Sequence, residues 1–138
     1  PGIGHFSALL LAAEIADIQR FSSFKRFCSY AGLAPSTHQS GSKIYHGRII
    51  KDSNAYIRYV LIEAVSHAIR KDLSLARFHH RILKKRGSSK ARVATARKLA
   101  KIIFFMLSNN EDYYHNRTIF RSRVSPHTKL GTFTNLAR

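Results

Sequence analysis

A serine next to a glycine and close to several cations is the part of this sequence best suited to chemistry. The stretch THQSGSKIYHGR, residues 37 to 48, contains Ser40, and Lys43, Arg48, Lys51 and Arg58 follow within eighteen residues. Phosphoryl transfer depends mostly on positioning and charge neutralisation, so a hydroxyl in a basic pocket is chemically sufficient for it. Ser40 is therefore a candidate nucleophile, and the four cations are candidate phosphate-binding groups. The competing interpretation is that Ser40 only shapes a turn.

A serine nucleophile also needs a proton acceptor, and only two histidines, His38 and His46, lie near Ser40 in the sequence. Metal-assisted activation has no sequence support, because the eight histidines show no C-x-x-C or H-E-x-x-H spacing. The seven Asp and Glu residues are scattered and form no cluster of the kind that holds Mg²⁺. We therefore expect no metal and no cofactor in this chain.

Positive charge dominates the composition. Lys and Arg number 24 against 7 Asp and Glu, which gives a net charge of +17 at pH 7. Residues 73–110 hold ten cations and no acidic residue, whereas an ordinary solvated surface mixes both signs. The pattern predicts binding to nucleic-acid backbone, with a membrane surface or a protein partner as alternatives. The candidate binding residues in this segment are Arg77, Arg81, Lys84, Lys85, Arg86 and Lys90.

Two glycines near the N-terminus suggest a second phosphate contact. Gly2 and Gly4 lie in PGIG, just before an apolar helical segment. A tight turn at a helix N-terminus presents backbone N–H groups to a phosphate, as in the hairpin part of a helix-hairpin-helix. The alternative is an ordinary turn before a helix.

The periodicity predicts a mainly α domain. Helices are expected over an apolar stripe at Phe6, Leu9, Leu10, Ala13 and Ile15, and over four later segments. Those segments are SSFKRFCSYA, SNAYIRYVLIEAVSHAIRK, SLARFHHRILKKR and about Ser89 to Leu107. An irregular or hairpin insertion is expected around residues 36–51, turning at His46-Gly47. We expect one domain over residues 1–108 and a basic, loosely ordered tail over 109–138.

No apolar run is long enough to cross a membrane, and no signal peptide is recognised. A single cysteine, Cys28, fits a reducing compartment and is expected in the core. A membrane surface is the disfavoured alternative, because the basic helices lack a broad apolar face that is free of core packing, and we expect no membrane partner.

Taken in order, several motifs resemble a known family. PGIG, FKRFCSYAGLAP, SG and GRIIKDSNAYIR together are similar to the C-terminal transposase domain of the insertion-sequence one-hundred-and-ten family, over about residues 1 to 108. In that family an N-terminal RuvC-like domain supplies an acidic metal site, and the C-terminal domain supplies a serine thought to attack DNA. The resemblance places that serine at Ser40, before Gly41.

Further expectations follow from the resemblance. It implies a DNA partner, a structured guide RNA, a homo-oligomer in the full-length protein and Mg²⁺ bound in the acidic domain. It also implies a prokaryotic cytoplasmic location near the nucleoid. The chain would be the catalytic-serine and DNA-binding domain of a transposase or recombinase, inactive as an isolated fragment. The rival hypothesis is a non-catalytic helix-hairpin-helix type module that binds DNA or RNA.

Overall fold

Five helices make up most of the described structure, as the sequence predicts. The computed structural model describes residues 2–40, 43–49 and 53–113. The helices are α1 (His5–Ile15), α2 (Phe24–Tyr30), α3 (Ala55–Lys71), α4 (Leu73–Arg86) and α5 (Ser88–Asn109), with a 3-10 turn at Ile18–Arg20. The predicted mainly α class is confirmed.

Side-chain caps determine where three helices begin. Ser23, Asn54 and Asp72 precede α2, α3 and α4, and each accepts hydrogen bonds from backbone N–H groups of the first turn. These groups have no partner within the helix, so a cap stabilises the helix start. Left-handed residues mark two helix ends. Gly32 follows α2 at φ +64, and Asn110 ends α5 at φ 52.

The core lies between α3 and α5 and is closed by α1, α2 and Leu33. The inner face of α3 contributes Ile57, Leu61 and Val65. These residues recur at three and four positions, as expected for a helix with one apolar face. Phe27 and Phe104 pack across α2 and α5 with ring centroids 5.9 Å apart. Cys28 is fully buried beside them, as predicted.

The core-facing side of α1 differs from the prediction. Leu11 and Ile15 are buried, whereas Phe6 and Leu9 are 76% and 71% exposed. Of the predicted stripe, Ile15 is buried and Leu10 packs against the core, but Phe6 and Leu9 do not, because α1 is apolar nearly all round and periodicity does not select a face. Leu11 and Ile15 are four residues apart and share one face.

The insertion between α2 and α3 is a two-stranded antiparallel hairpin of β1 (Pro35–Ser40) and β2 (Lys43–Ile49). The predicted turn at His46-Gly47 is wrong, because both residues lie inside β2 and Ser40 pairs with Lys43. Pro35 pairs with Ile49 and Thr37 with His46, so two residues of β2, Gly47 and Arg48, lie opposite one residue of β1. An unpaired extra residue of this kind is a β-bulge, and glycine inside a strand often marks one.

Candidate functional site

Ser40 lies at the far end of the β1–β2 hairpin from the helices. It is the last residue of β1, and its cross-strand partner is Lys43, the first residue of β2. Arg48 lies in the bulge near the other end of β2. Lys51 lies outside the described residues. The backbone therefore brings one predicted cation next to Ser40, and it places Arg48 near the base of the hairpin.

Where the hairpin joins the helices, a polar cluster links the segment that enters β1 to the segment that leaves β2. Asn54, after β2, donates from Nδ2 to Glu14 Oε2 at 2.5 Å and to the Tyr30 hydroxyl at 3.2 Å. Its Oδ1 accepts from the Ile57 backbone N–H at 3.0 Å. The backbone N–H of Asn54 also donates to the Tyr30 carbonyl at 2.7 Å. One residue thus caps α3 and ties it to α1 and α2.

The same cluster holds a cation on its outer side. Arg20 donates to the Glu14 carbonyl at 3.0 Å, and its guanidinium carbon lies 4.8 Å from the Tyr30 ring centroid. The pKa of Tyr30 is lowered, chiefly because Asn54 donates to its oxygen and secondly because Arg20 is close.

Arg58 belongs to this cluster rather than to an open surface. It is half-buried, and Nη1 donates to Ser53 Oγ at 2.9 Å. Gly32 packs against both side chains, so closely that a Cβ at that position would lie 2.5 Å from Arg58 Nη1. Gly32 precedes β1 by three residues and Ser53 follows β2 by four. We call Glu14, Tyr30, Gly32, Ser53, Asn54 and Arg58 the stem clamp.

The predicted cations of α4 and early α5 lie together on a helical hairpin. Its turn is Gly87, an exposed residue at φ +82 that no neighbour crowds. All six predicted cations are exposed: Arg77, Arg81, Lys84, Lys85, Arg86 and Lys90. We call this set the basic surface. Lys84, Lys85 and Arg86 are in the last turn of α4, where positive charge also offsets the negative end of the helix dipole.

An aromatic residue that the sequence analysis did not select orders part of this surface. Phe78 is half-buried between α4 and α5. Lys98 Nζ lies 4.6 Å from its ring centroid, and the Arg81 guanidinium carbon lies 5.5 Å from it. Each contact is a cation–π interaction that restrains a long side chain. Its spacing three residues before Arg81 was the available signal, since i and i+3 share a helix face.

Arg92 lies at the edge of the same helical hairpin and has an acidic neighbour. Its Nη2 is 4.0 Å from Glu63 Oε1 of α3, and the two side chains are 49% and 57% exposed. An exposed pair at this distance contributes little stability. The pair shows that the first turns of α5 lie beside the middle of α3.

A buried histidine joins α4 to α5 below the basic surface. His79 Nδ1 lies 3.1 Å from Thr95 Oγ1, and that hydroxyl donates to the Ala91 carbonyl at 2.8 Å. The Thr95 oxygen therefore accepts, and His79 carries its proton on Nδ1. Burial is the main cause of a lowered His79 pKa, and the neighbouring His80 and Arg92 lower it further.

Asp72 connects three segments at the opposite end of α4. Its Oδ1 accepts from the backbone N–H groups of Ser74 at 2.7 Å and Leu75 at 3.1 Å. The Tyr113 hydroxyl donates to Oδ2. Burial is the largest cause of the raised Tyr113 pKa, and the carboxylate adds to it. Residues just after α5 thus pack on the domain, and the predicted tail from residue 114 onward lies outside the described residues.

The two N-terminal glycines have different surroundings. Gly2 packs on α3, and a Cβ there would lie 2.6 Å from the Ala64 carbonyl oxygen. Gly4 is exposed and precedes α1 with nothing near its Cβ position. A helix-hairpin-helix at this position stays a prediction. Phosphate binding by Gly2 and Gly4 stays a prediction.

The described residues contain no group of three His, Cys, Asp or Glu side chains arranged to hold a metal ion. Among the same residues, no helix combines the length and apolarity needed to cross a membrane.

The profile of the Transposase IS116/IS110/IS902 family matches residues 1–81, more than half of the chain. The chain belongs to this transposase family. The matched residues include α1, α2, the β1–β2 hairpin, α3 and part of α4. They contain Ser40 and the whole stem clamp, and they end at Arg81 of the basic surface.

Two curated transposases are similar to this chain over most of its length. It is 32% identical over 117 residues to the transposase for insertion sequence element IS1111A of Coxiella burnetii, covering 82% of the chain and 32% of that relative. It is 31% identical over 116 residues to a probable family 20 transposase of Pseudomonas aeruginosa, covering 81% and 34%. The chain thus spans about a third of the length of these curated relatives.

A shorter stretch of the chain is similar to a protein that is not named as a transposase. A pilin gene-inverting protein of Moraxella bovis is 49% identical over 45 residues, covering 33% of the chain and 14% of that protein. No solved structure gave a significant match.

Proposed function

We propose that this chain is the part of an IS110-type transposase that supplies Ser40 as the nucleophile for DNA strand cleavage and rejoining. The observation that carries the proposal is the position of Ser40. It ends β1 at the far end of the hairpin, opposite Lys43, in a region matched by the transposase profile. A hydroxyl on a projecting hairpin can reach a duplex, and a cation beside it offsets charge on the phosphate.

The proposed reaction balances without an outside energy source. Ser40 Oγ bonds to the scissile phosphorus while the bond from phosphorus to one bridging oxygen breaks. The serine proton passes to His38 or His46, the two histidines of the hairpin, and that histidine gives it to the released strand oxygen. A hydroxyl of the incoming strand then attacks the same phosphorus and gives its proton to the histidine, which returns it to Ser40 as Ser40 leaves. One phosphodiester is lost and one is gained.

DNA is the proposed partner of the basic surface. Its six exposed cations suit contacts with consecutive phosphates, which fix position without reading sequence. Arg48 and Lys51 are proposed to contact backbone closer to the reacting phosphate. For Arg58, the contact with Ser53 favours a structural role at the base of the hairpin instead.

The wider assembly is also a proposal. By the family resemblance, we propose that Mg²⁺ is held by a separate acidic domain of the longer protein, and no step above uses it. We propose that the full-length protein acts as a homo-oligomer with a structured guide RNA, in the cytoplasm of a prokaryote near its nucleoid.

The test compares two serines in the full-length protein. Ser40→Ala should abolish a protease-sensitive covalent protein–DNA species in denaturing electrophoresis of labelled donor DNA. Folding and DNA affinity should change little, because the change removes a single hydroxyl from a position that the sequence predicts to lie in an exposed loop, where substitutions typically alter stability within about 0.5 kcal/mol. Ser42→Ala, two residues away, is the matched control and should retain the species. If Ser40→Ala still forms it, Ser40 is a turn residue and the chain acts as a non-catalytic nucleic-acid-binding module.

A further inference from the structure

We infer that the stem clamp sets the position of the β1–β2 hairpin, and that Tyr30, Asn54 and Arg58 are positioning residues for Ser40. The catalytic consequence rests on the proposed function, whereas the positioning itself does not. Sequence patterns gave Arg58 a different role, direct phosphate binding.

A hairpin of two strands needs support from its base. Isolated two-stranded hairpins are at best marginally stable in water. Ser40 is also at the end farthest from the helices, so a small change of angle at the base moves it by a larger distance. The segments that enter and leave the hairpin therefore control where Ser40 lies.

The clamp joins those two segments directly. The entering segment contains Tyr30 and Gly32, and the leaving segment contains Ser53 and Asn54. The Asn54 N–H bond to the Tyr30 carbonyl, at 2.7 Å, connects them through backbone atoms. The Asn54 side chain adds a second connection through the Tyr30 hydroxyl and a third to Glu14 of α1.

Arg58 and Gly32 form the other half of the clamp. Gly32 has φ +64, a conformation that residues with a Cβ rarely adopt. The absence of a Cβ lets the Arg58 guanidinium lie over the turn and hold Ser53. Arg58 thus uses one of its donors inside the protein. Lysine has the charge but lacks the planar fork, so it would not replace this contact.

Two tyrosines give a matched test, because each side chain donates or accepts at a defined partner and each Phe variant removes one oxygen. Tyr30→Phe removes a clamp contact. Tyr113→Phe removes the contact with Asp72 at the far end of α3. Asn54→Asp is a third variant. It keeps an oxygen to cap Ile57 but loses the donor to Glu14 and places two carboxylates together.

The variants are made in the full-length transposase and measured in two ways. Hydrogen exchange of amides in residues 35–40 and 43–49 reports hairpin order without depending on Ser40 chemistry. Single-turnover cleavage at saturating DNA reports positioning, since small misplacements near reacting atoms cost up to about 100-fold in rate. Tyr30→Phe, Asn54→Asp and Arg58→Lys should speed hairpin exchange and slow cleavage roughly 10- to 100-fold, with DNA affinity nearly unchanged. Tyr113→Phe should alter neither measurement below its melting temperature.

The two proposals fail separately. If hairpin exchange stays at the wild-type rate in all three clamp variants, or rises equally in Tyr113→Phe, the positioning inference is wrong whatever Ser40→Ala does. If exchange rises in the clamp variants while Ser40→Ala keeps the covalent species, the clamp positions the hairpin and Ser40 is not the nucleophile.

Discussion

The salt dependence of DNA affinity tests the proposal that the basic surface contacts phosphates, and it measures how many. Six exposed cations form this surface: Arg77, Arg81, Lys84, Lys85, Arg86 and Lys90. Each phosphate contact on duplex DNA contributes about −0.9 to the slope of log affinity against log salt, so six contribute about −5.4. Affinity for duplex of unrelated sequence should then fall about 2,000-fold between roughly 50 and 200 mM salt.

A triple alanine variant of Lys84, Lys85 and Arg86 removes half of these contacts. The slope should become about −2.7, and the loss over the same salt range should shrink to about 40-fold. The three side chains are exposed in the last turn of α4, so the fold should be kept. Fluorescence anisotropy with a labelled duplex at several salt concentrations measures both slopes.

A second triple variant controls for net charge. Lys25, Arg26 and Lys71 are also exposed, and they lie away from Gly87. The ring centroid of Phe24, the neighbour of Lys25, lies 6.1 Å from that of Phe104. Phe104 is sixteen residues beyond the first residue of α5, which is about 24 Å along the helix from the Gly87 turn. Lys71 precedes the other end of α4. Replacing these three by alanine should leave the slope near −5.4, within about one contact. Equal slopes for the two triple variants would refute a localised binding surface, and a flat salt dependence would favour a protein partner.

Two further predictions concern stability. The pKa of His79 is lower in the folded state than in the unfolded chain. The unfolded chain therefore binds a proton near pH 6.5 that the folded chain takes up only at lower pH. As a result, the free energy of unfolding should fall as the pH drops below about 6.5. Urea denaturation at several pH values should show a shallower fall for His79→Gln than for wild type, whereas the exposed His67→Gln should follow wild type; parallel curves for all three would contradict the assignment. Tyr113→Phe removes a hydrogen bond to a buried carboxylate and should lower the free energy of unfolding by about 1–3 kcal/mol, against little change for Tyr59→Phe on the exposed face of α3; equal stabilities would show that residues after α5 do not secure Asp72.

The helices were predictable because their signals are local. The segment SSFKRFCSYA offers Ser22 or Ser23 as the cap of α2, and it is Ser23 that accepts from the Arg26 N–H. Gly87, between the two predicted basic helices, ends α4. On α3 the three-and-four spacing identified the buried residues, with the exception of Tyr56, which is 65% exposed. Tyr56 lies in the first turn beside Ile57, which is fully buried, so Tyr56 is exposed because it is on the outer face of the helix.

The stem clamp could not be predicted in the same way. Asn54 contacts Tyr30 and Glu14 across 24 and 40 residues, and polar pairs at such separations leave no periodic trace. The motifs FKRFCSYAGLAP and GRIIKDSNAYIR contained most of these residues, but their cations drew attention to phosphate binding. The contact of Arg58 with Ser53 becomes visible only when Gly32 is known to leave space for it.

The ion pair of Glu63 and Arg92 relates the two proposed DNA-contacting features in space. Asn54, at the base of the β1–β2 hairpin, precedes Glu63 by nine residues of α3, which is about 13 Å of helix. Arg92 is five residues beyond Gly87, which is about 8 Å of α5. With the 4.0 Å contact and the two extended side chains of the pair between them, the hairpin base and the turn of the basic surface are separated by roughly 37 Å at most, close to the about 34 Å that one turn of duplex DNA spans. In the proposed function, therefore, a single duplex can lie on the basic surface and still present a phosphate to Ser40, and the anchored base of the hairpin determines which phosphate that is.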